Sequence, residues 1–196
     1  MKSDISGILL AAGLSRRMGA DKLLLEYAGQ TLLARAVALL GSLPCREKIL
    51  VTTAGRLSAI DLPAGIRAIV NPNPGIGQSE SLRLGLAAAA RRNYLFLNAD
   101  QPRLYPDALA PLFTLAGENP EKIVFPTVNG QPCPPVLFPA VFREDLLAQT
   151  GDAGGRAVRT ANPELCLTFE VGNPEDFLDV DTPQDYRRMS VTSDIF

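Results

Sequence analysis

An apolar run near the start of the chain, Ile8–Ala12, ends abruptly in a glycine-bearing segment that continues to Lys22. An apolar run that stops in small residues is typical of a buried strand that feeds a tight loop. Small residues let backbone N–H groups approach anionic oxygens closely. Cationic side chains add charge that backbone dipoles lack, and this loop carries Arg16, Arg17 and Lys22. The segment therefore predicts an α/β fold whose first strand ends in a polyphosphate-binding loop.

Two better-known phosphate-binding loops do not match this one. The Walker A loop needs four residues between its glycines and Ser or Thr after its lysine, whereas Gly13 and Gly19 enclose five residues and Leu23 follows Lys22. The dinucleotide fingerprint needs three glycines in a Gly-x-Gly-x-x-Gly frame, of which only Gly13 is in place. A solvated basic turn is the alternative interpretation. Since neighbouring side chains diverge, we expect one of the two arginines only to pack.

The composition predicts one packed domain. The chain has 196 residues, of which 46% are hydrophobic, and this is enough for a sizeable core. We assign residues 1–189 to a single domain and residues 190–196 to a tail without pattern. A net charge of −2 argues against nucleic-acid binding, which needs a basic face. No apolar stretch is long enough to span a bilayer, so we expect no membrane role.

Cysteine and histidine contents limit the chemistry and the compartment. The three cysteines are widely separated and form no Cys-x-x-Cys pair, which argues against a zinc or redox site. Their odd number and the lack of a secretory pattern at the start predict a reduced, cytoplasmic protein. Because the chain has no histidine, catalysis has to use carboxylates, cations, metal or backbone groups.

Apolar runs alternate with helical patterns along the chain, which predicts a mostly parallel sheet flanked by helices. The predicted strands are Ile5–Ala11, Ile49–Thr52, Ile66–Val70, Tyr94–Asn98, Ile123–Thr127, Val136–Phe138, Cys166–Val171 and Leu178–Val180. The predicted helices are one capped by Thr31, then Gln78–Arg92, Pro106–Ala116, Ala140–Leu147, Gly155–Ala161 and Pro183–Met189. Ligands of such sheets bind at the carboxyl ends of the strands.

Acidic side chains stand where two of these strands end. Asp100 follows the fourth predicted strand, while Asp179 and Asp181 share one face at the last one. A carboxylate at this edge can hold Mg²⁺, which bridges phosphate oxygens. Paired carboxylates also repel each other until a cation relieves them. The alternative is structural, with Asp100 starting a turn and Asp181 helping Thr182 to cap the last helix.

Two polar junctions between a loop and a helix are further candidates. The first runs from Asn71 into the long helix at Gln78, whose N-terminus can donate hydrogen bonds to a base, ribose or phosphate. The second, Gly151–Arg156, can offer the Arg156 guanidinium and backbone N–H groups to a second anion. Plain turns and helix caps are the alternatives for both junctions.

Four motifs follow one another along the chain, in the segments Leu10–Lys22, Asn98–Pro102, Gly151–Arg156 and Asp179–Pro183. They are Leu-Ala-Ala-Gly-x-Ser-x-Arg-Met-Gly-x-x-Lys, Asn-Ala-Asp-Gln-Pro, Gly-Asp-x-Gly-x-Arg and Asp-Val-Asp-Thr-Pro. Together they resemble the MobA-like nucleotidyltransferases, and within these most closely the molybdenum cofactor cytidylyltransferases. The resemblance covers nearly the whole chain.

The resemblance implies a fold and a set of ligands. The fold is the Rossmann-like nucleotide-diphospho-sugar transferase fold, with a mostly parallel mixed sheet between helices. Asp100 and Asp181 would bind Mg²⁺, and we predict that Asp152 and Arg156 bind the acceptor. Within the family, Leu-Ala-Ala-Gly indicates CTP and Leu-Ala-Gly-Gly indicates GTP. The predicted nucleotide-binding residues are Leu10, Ala11, Ala12, Gly13, Arg17, Lys22, Asn71 and Ser79.

The implied reaction transfers CMP from CTP to the terminal phosphate of molybdopterin and releases pyrophosphate, and the client of the product would be a molybdoenzyme. A phosphate monoester has a second pKa of about 6, so it is a nucleophile at neutral pH without a general base. Catalysis would rest on Lys22, Arg16 and Asp100 through positioning and charge neutralisation.

Other functions stay open from the sequence. GTP as donor, or a sugar phosphate as acceptor, keeps the same chemistry. An accessory protein that binds nucleotide and cofactor without transfer belongs to another class, and the retained Lys22, Asp100 and Asp181 argue against it. A dinucleotide oxidoreductase is opposed by the failed glycine pattern.

Overall fold

A computed structural model describes residues 3–193 of the chain. Its strands, numbered in chain order, are β1 (Ser3–Ala11), β2 (Glu26–Tyr27), β3 (Gln30–Thr31), β4 (Cys45–Thr52), β5 (Arg67–Val70), β6 (Asn93–Asn98), β7 (Ile123–Val128), β8 (Gln131–Pro132), β9 (Val136–Pro139) and β10 (Cys166–Glu170). Strands β2 and β3 form a separate hairpin, and the other eight strands of the described residues form one sheet.

The main sheet is mixed but mostly parallel, as predicted. Its order is β10-β7-β9-β6-β1-β4-β5, and β8 pairs with β7 beside this path. Strand β1 runs parallel to β4 and β6, whereas β9 runs antiparallel to β6 and β7. Leu10 lies beside Asn98 in this register. The loop after β1 and Asp100 therefore emerge at the same edge of the sheet.

Helices cover both faces of the sheet. They are α1 (Leu32–Ser42), α2 (Ala54–Leu57), α3 (Gln78–Ala88), α4 (Ala110–Glu118), α5 (Arg143–Leu147), α6 (Gly154–Ala161) and α7 (Pro183–Ser193). Leu9 belongs to a buried cluster with α1, α4 and α7, and Ile8 to a second cluster with α3, α5 and α6. Successive strand residues thus face opposite apolar layers, as in a strand buried on both faces. No helix in the described part of the chain is long and apolar enough to cross a membrane.

The caps of α1 and α7 follow the sequence-based prediction. Thr31 Oγ1 accepts a hydrogen bond from the Ala34 N–H at 3.1 Å. Asp185 Oδ2 accepts from the Thr182 N–H at 2.8 Å, and Thr182 Oγ1 accepts in return from the Asp185 N–H at 3.2 Å. Such reciprocal capping fixes the first turn of a helix. It also anchors the chain directly after Asp181, which is a predicted metal ligand.

A glycine inside α3 marks a close approach between helix and sheet. A Cβ at Gly85 would lie 2.6 Å from Ile8 Cγ2. Glycine costs a helix about 1 kcal/mol relative to alanine, so the space limit explains its presence here. The approach brings the start of α3 near the loop that follows β1.

The predicted strand Leu178–Val180 is wrong. Leu178 has an extended backbone, and the Val180 N–H donates to the Asp100 carbonyl at 2.9 Å, but the segment joins no ladder of the described strands. A strand needs a neighbouring strand, and this segment meets the chain where β6 has already ended. It therefore does not extend the sheet.

Other differences concern element ends. Helix α3 stops at Ala88 before its predicted end, and Glu47 Oε2 accepts the Ala90 N–H at 2.9 Å beyond it. The β2–β3 hairpin and α2 were not predicted. Helix α7 continues to Ser193 into the predicted tail, whose residues 194–196 lie outside the described part. The division into a domain and a tail stays a prediction.

Candidate active site

A cavity of about 320 Å³ lies at the carboxyl edge of β1 and β6. Open α/β sheets bind their ligands at this edge. Groups from the loop after β1, the start of α3 and the segment before α7 line the cavity together. The predicted site residues among them are Leu10, Ala11, Ala12, Gly13, Arg16, Arg17, Lys22, Asp100, Asp152 and Asp181.

Lys22, Asp100 and Asp181 meet in the wall of this cavity. Lys22 Nζ lies 2.7 Å from Asp100 Oδ2 and 2.9 Å from Asp181 Oδ1. Their side chains are 13%, 18% and 34% exposed, so the ion pairs are partly shielded from water. The structure thus brings together an ammonium and two carboxylates from three separate segments, as the sequence analysis predicted.

The contacts of Lys22 change proton affinities in the site. Partial burial lowers the pKa of Lys22, but attraction and hydrogen bonds from Asp100 and Asp181 outweigh this and raise it above 10.5. Partial burial raises the pKa of Asp181, but Lys22 and then Arg17 bring it below 3.8. Lys22 is therefore an ammonium and Asp181 a carboxylate at neutral pH. Both groups therefore offer a fixed charge to a ligand in the cavity.

Asp100 has a carboxylate oxygen that suits a metal ion. Its Oδ1 is buried and has no hydrogen-bond partner among the described residues. A buried polar atom without a partner costs roughly 1–3 kcal/mol, and a cation would offset this cost. Mg²⁺ typically takes one or two carboxylates and completes its shell with phosphate oxygens and water. Asp100 and Asp181 fit this pattern, although no group of three or more acidic, histidine or cysteine side chains forms a metal cluster within residues 3–193.

Both arginines of the loop line the cavity, so the expectation that one only packs is wrong. Arg17 Nη2 lies 2.8 Å from Asp181 Oδ2, and its side chain is 69% exposed. Arg16 is also exposed. The turn that holds them is closed by a hydrogen bond from the Met18 N–H to the Ser15 carbonyl.

Asp179 does not share a face with Asp181, because the segment is not a strand. Asp179 lines a neighbouring cavity with Arg103 and Arg188, whereas Asp181 lines the main one. Although part of the residue is exposed, burial of its carboxyl, followed by repulsion from Asp100 and Asp181, raises the pKa of Asp179 to about 7. The carboxylates of the site thus affect the pKa of Asp179, although Asp179 does not line the main cavity.

The start of α3 is joined to the loop that precedes α6. The Ser79 N–H donates to the Gly151 carbonyl at 2.9 Å, and the Gln78 N–H donates to Asp152 Oδ1 at 3.2 Å. Gly77 has a φ of +114°, and a Cβ there would lie 2.6 Å from the Gly151 carbonyl carbon, so this approach requires glycine. Asp152 therefore lines the cavity and also satisfies an N–H at the start of α3.

Asn71 and Ser79 are buried outside the cavity lining. Asn71 Nδ2 donates to Ser81 Oγ at 3.0 Å, and Asn71 Oδ1 accepts from the Asn73 N–H at 2.8 Å. Asn71 thus supports Ser81, which does line the cavity together with Gln78. The turn was predicted, but Gln78 and Ser81 were not among the predicted nucleotide-binding residues.

Arg156 lies in a second cavity together with Arg159. The Arg159 guanidinium stands over the Phe125 ring, 4.5 Å from its centroid. Since Asp152 lines the first cavity, the two predicted acceptor-binding residues face different spaces. The structure does not bring this predicted pair together.

Arg56 supports the loop that follows β1, and this role was not predicted. It comes from α2, is 4% exposed and donates to the carbonyls of Ala11 and Gly13 and to the Asp21 carboxylate. The sequence gives no sign of this role, because two of the partners of Arg56 are backbone carbonyls, which every residue has.

An edge with these groups is suited to the phosphates of a nucleoside triphosphate, which is the substrate of a nucleotidyltransferase. Comparison with known families supports the assignment. Residues 7–165 match the MobA-like NTP transferase domain, and the chain belongs to this family.

Three similar proteins illustrate the relationship. A probable molybdenum cofactor guanylyltransferase of Chloroflexus aggregans is 33% identical, with 93% of this chain and 92% of that protein covered. The molybdenum cofactor cytidylyltransferase of Escherichia coli is 25% identical, with 94% of each chain covered. The crystal structure of Rv0371C from Mycobacterium tuberculosis in complex with manganese has a TM-score of 0.77 at 23% identity, with 97% of this chain and 100% of that chain covered. The last comparison confirms the predicted fold.

Proposed function

We propose that this protein transfers CMP from CTP to the terminal phosphate of molybdopterin and releases pyrophosphate. The convergence of Lys22, Asp100 and Asp181 beside the Leu10–Gly13 turn carries the proposal. It supplies positive charge and carboxylate oxygens at one edge, where a triphosphate and a phosphate acceptor would meet. The names of the two relatives support a molybdenum cofactor precursor as the acceptor.

The terminal phosphate of the acceptor is itself the nucleophile. A phosphate monoester has a second pKa of about 6, so it is largely dianionic at neutral pH. One of its oxygens forms a bond to the α-phosphorus of CTP, the bond from that phosphorus to the bridging oxygen breaks, and pyrophosphate leaves with the electron pair. No proton has to be removed, which agrees with a chain that contains no histidine.

The protein positions the reactants and neutralises their charge. Lys22 and Arg16 would bind phosphate oxygens, the first as a point charge and the second with forked donors. The backbone of the Leu10–Gly13 turn would approach the nucleotide closely. Mg²⁺, held by Asp100 and Asp181, would stabilise the negative charge that develops on the leaving pyrophosphate.

CTP is favoured as the donor by the turn after β1. Ala11 and Ala12 are 1% and 2% exposed and line the cavity. In the family that the chain resembles, Leu-Ala-Ala-Gly indicates CTP and Leu-Ala-Gly-Gly indicates GTP, and this chain has alanine at position 12. GTP is the second candidate, because the Chloroflexus relative is named a guanylyltransferase.

Product analysis by mass spectrometry tests the proposal. The purified protein is incubated with molybdopterin, Mg²⁺ and an equimolar mixture of the four ribonucleoside triphosphates, and a parallel sample lacks Mg²⁺. We expect the cytosine dinucleotide form of molybdopterin as the main product, and much less of it without the ion. A guanine product in excess would contradict the choice of donor. Binding of CTP without any dinucleotide product would contradict transfer and favour the accessory protein.

A further inference from the structure

Arg56 places a buried positive charge directly behind the Leu10–Gly13 turn. Its Nε donates to Asp21 Oδ2 at 2.8 Å, and its Nη2 donates to Asp21 Oδ1 at 2.8 Å. Its Nη1 donates to the Ala11 carbonyl at 2.6 Å, and Nη2 also donates to the Gly13 carbonyl at 2.7 Å. A buried charge is costly unless it is paired and hydrogen-bonded. The partners of this guanidinium therefore hold it in one orientation.

These hydrogen bonds connect the two ends of the loop after β1. Ala11 and Gly13 stand at its start, and Asp21 directly precedes Lys22 at its end. Asp21 Oδ1 also accepts from the Leu23 N–H at 3.2 Å and so caps the turn that carries Lys22. Through this arrangement, one rigid planar group sets the position of Lys22 relative to the turn.

The same bonds determine which way the backbone N–H groups point. In a trans peptide, a carbonyl and the N–H that follows it point in opposite directions. The Ala11 and Gly13 carbonyls point toward Arg56, so the N–H groups of Ala12 and Leu14 point away from it. Both of these residues line the cavity. Arg56 thereby turns two backbone donors away from itself, in two residues that line the cavity.

We propose that Arg56 is a positioning residue, which aims the Ala12 and Leu14 N–H groups and the Lys22 ammonium at the β- and γ-phosphates of the bound nucleotide. This inference rests on the proposed function, since it assumes a nucleoside triphosphate in the cavity. Arg56 does not line the cavity. It acts through the loop, because preorganised donors cost no rearrangement when the ligand binds.

The test compares the binding of CTP and CMP by variants at Arg56 and at Arg143. Arg56→Lys keeps the charge but loses the fork that reaches Asp21 and both carbonyls at once. Arg143→Lys is the matched control: Arg143 Nη1 likewise donates to a backbone carbonyl, that of Leu86, at 2.9 Å, and it lies outside the cavity lining. Isothermal titration calorimetry with Mg²⁺ gives the Kd of each protein for CTP and for CMP, and melting curves report its stability.

We expect Arg56→Lys to weaken CTP binding by about tenfold or more and CMP binding by less than about threefold, because the positioned donors serve the outer phosphates. Arg143→Lys should leave both Kd values unchanged even if it lowers the Tm. Should Arg56→Lys fail to fold, Asp21→Asn serves in its place. Its side chain is 35% exposed, it keeps the shape of Asp21, and it weakens the same ion pair with the same expected selectivity.

Equal weakening of CTP and CMP by either variant would overturn the inference, since it would indicate general damage to the cavity. Unchanged CTP binding in a folded Arg56→Lys variant would overturn it as well. A selective loss of CTP affinity in a protein that yields no dinucleotide product would leave the inference standing and contradict the proposed function. If the unaltered protein binds neither CTP nor GTP, both are wrong.

Discussion

Replacing Lys22 with alanine is expected to lower kcat by about a hundredfold or more while the chain still folds. The Lys22 ammonium is the charge shared by Asp100 and Asp181, at 2.7 and 2.9 Å. In the proposed reaction it binds phosphate oxygens whose negative charge grows as pyrophosphate leaves. Its loss therefore raises the barrier to transfer more than it weakens binding of CTP. Steady-state rates of pyrophosphate release, measured at saturating CTP and molybdopterin, give the change in kcat.

Two controls separate this effect from general damage. Lys122→Ala removes another lysine, whose Nζ donates to the Glu164 carbonyl at 3.0 Å outside the cavity lining, and it should leave kcat unchanged. Lys22→Ala removes a cation beside the two carboxylates, so it should not weaken Mg²⁺ binding. The Mg²⁺ concentration at half-maximal rate should therefore not rise. A Lys22→Ala variant that keeps nearly full kcat would rule out the role assigned to the ammonium.

Replacing Asp100 with asparagine is expected to lower the rate by a similar factor, but for a different reason. Asparagine has the same shape, and the backbone hydrogen bond from the Val180 N–H to the Asp100 carbonyl stays in place. The change removes the anionic oxygens, of which Oδ1 is buried and has no partner within the described residues. Mg²⁺ binds carboxylates much better than amides. We therefore expect kcat at standard Mg²⁺ to fall by about a hundredfold, and the Mg²⁺ concentration at half-maximal rate to rise.

The metal dependence distinguishes the two variants. Rates are measured over a titration of Mg²⁺ and again over a titration of Mn²⁺, and Asp61→Asn, at an exposed aspartate outside the cavity lining, provides the matched control. Partial rescue of Asp100→Asn at high metal concentration agrees with a ligand role. A full rate at ordinary Mg²⁺, or a lowered rate with an unchanged metal dependence, contradicts it.

The local sequence predicted the location of Asp100 at the sheet edge, because this location depends on a single strand. An apolar run that ends in a carboxylate puts the side chain at the edge of the sheet wherever the strand lies. Asp181 is 159 positions from Lys22, and no local pattern reports on such a contact. The order of the four motifs, through the resemblance that they carry, linked the two residues.

The failures have equally physical reasons. Whether Leu178–Val180 forms a strand depends on a neighbour, and none of the described strands runs beside it. Asp179 consequently lines a different cavity from Asp181. The role of Arg56 could not be predicted, because backbone carbonyls accept hydrogen bonds whatever the residue type. Asp152 and Arg156 are close in sequence and were predicted to bind one acceptor, but they line two different cavities.

Anomalous X-ray diffraction tests the central claim, that Lys22, Asp100 and Asp181 surround a divalent ion and a triphosphate. Crystals would be grown with Mn²⁺ and a CTP analogue that carries a methylene group between its α- and β-phosphorus atoms. The account predicts a manganese peak bonded to the Asp100 and Asp181 carboxylates and to phosphate oxygens, with Lys22 Nζ on the triphosphate. A manganese peak that contacts neither carboxylate, or a triphosphate bound away from the Leu10–Gly13 turn, would contradict it.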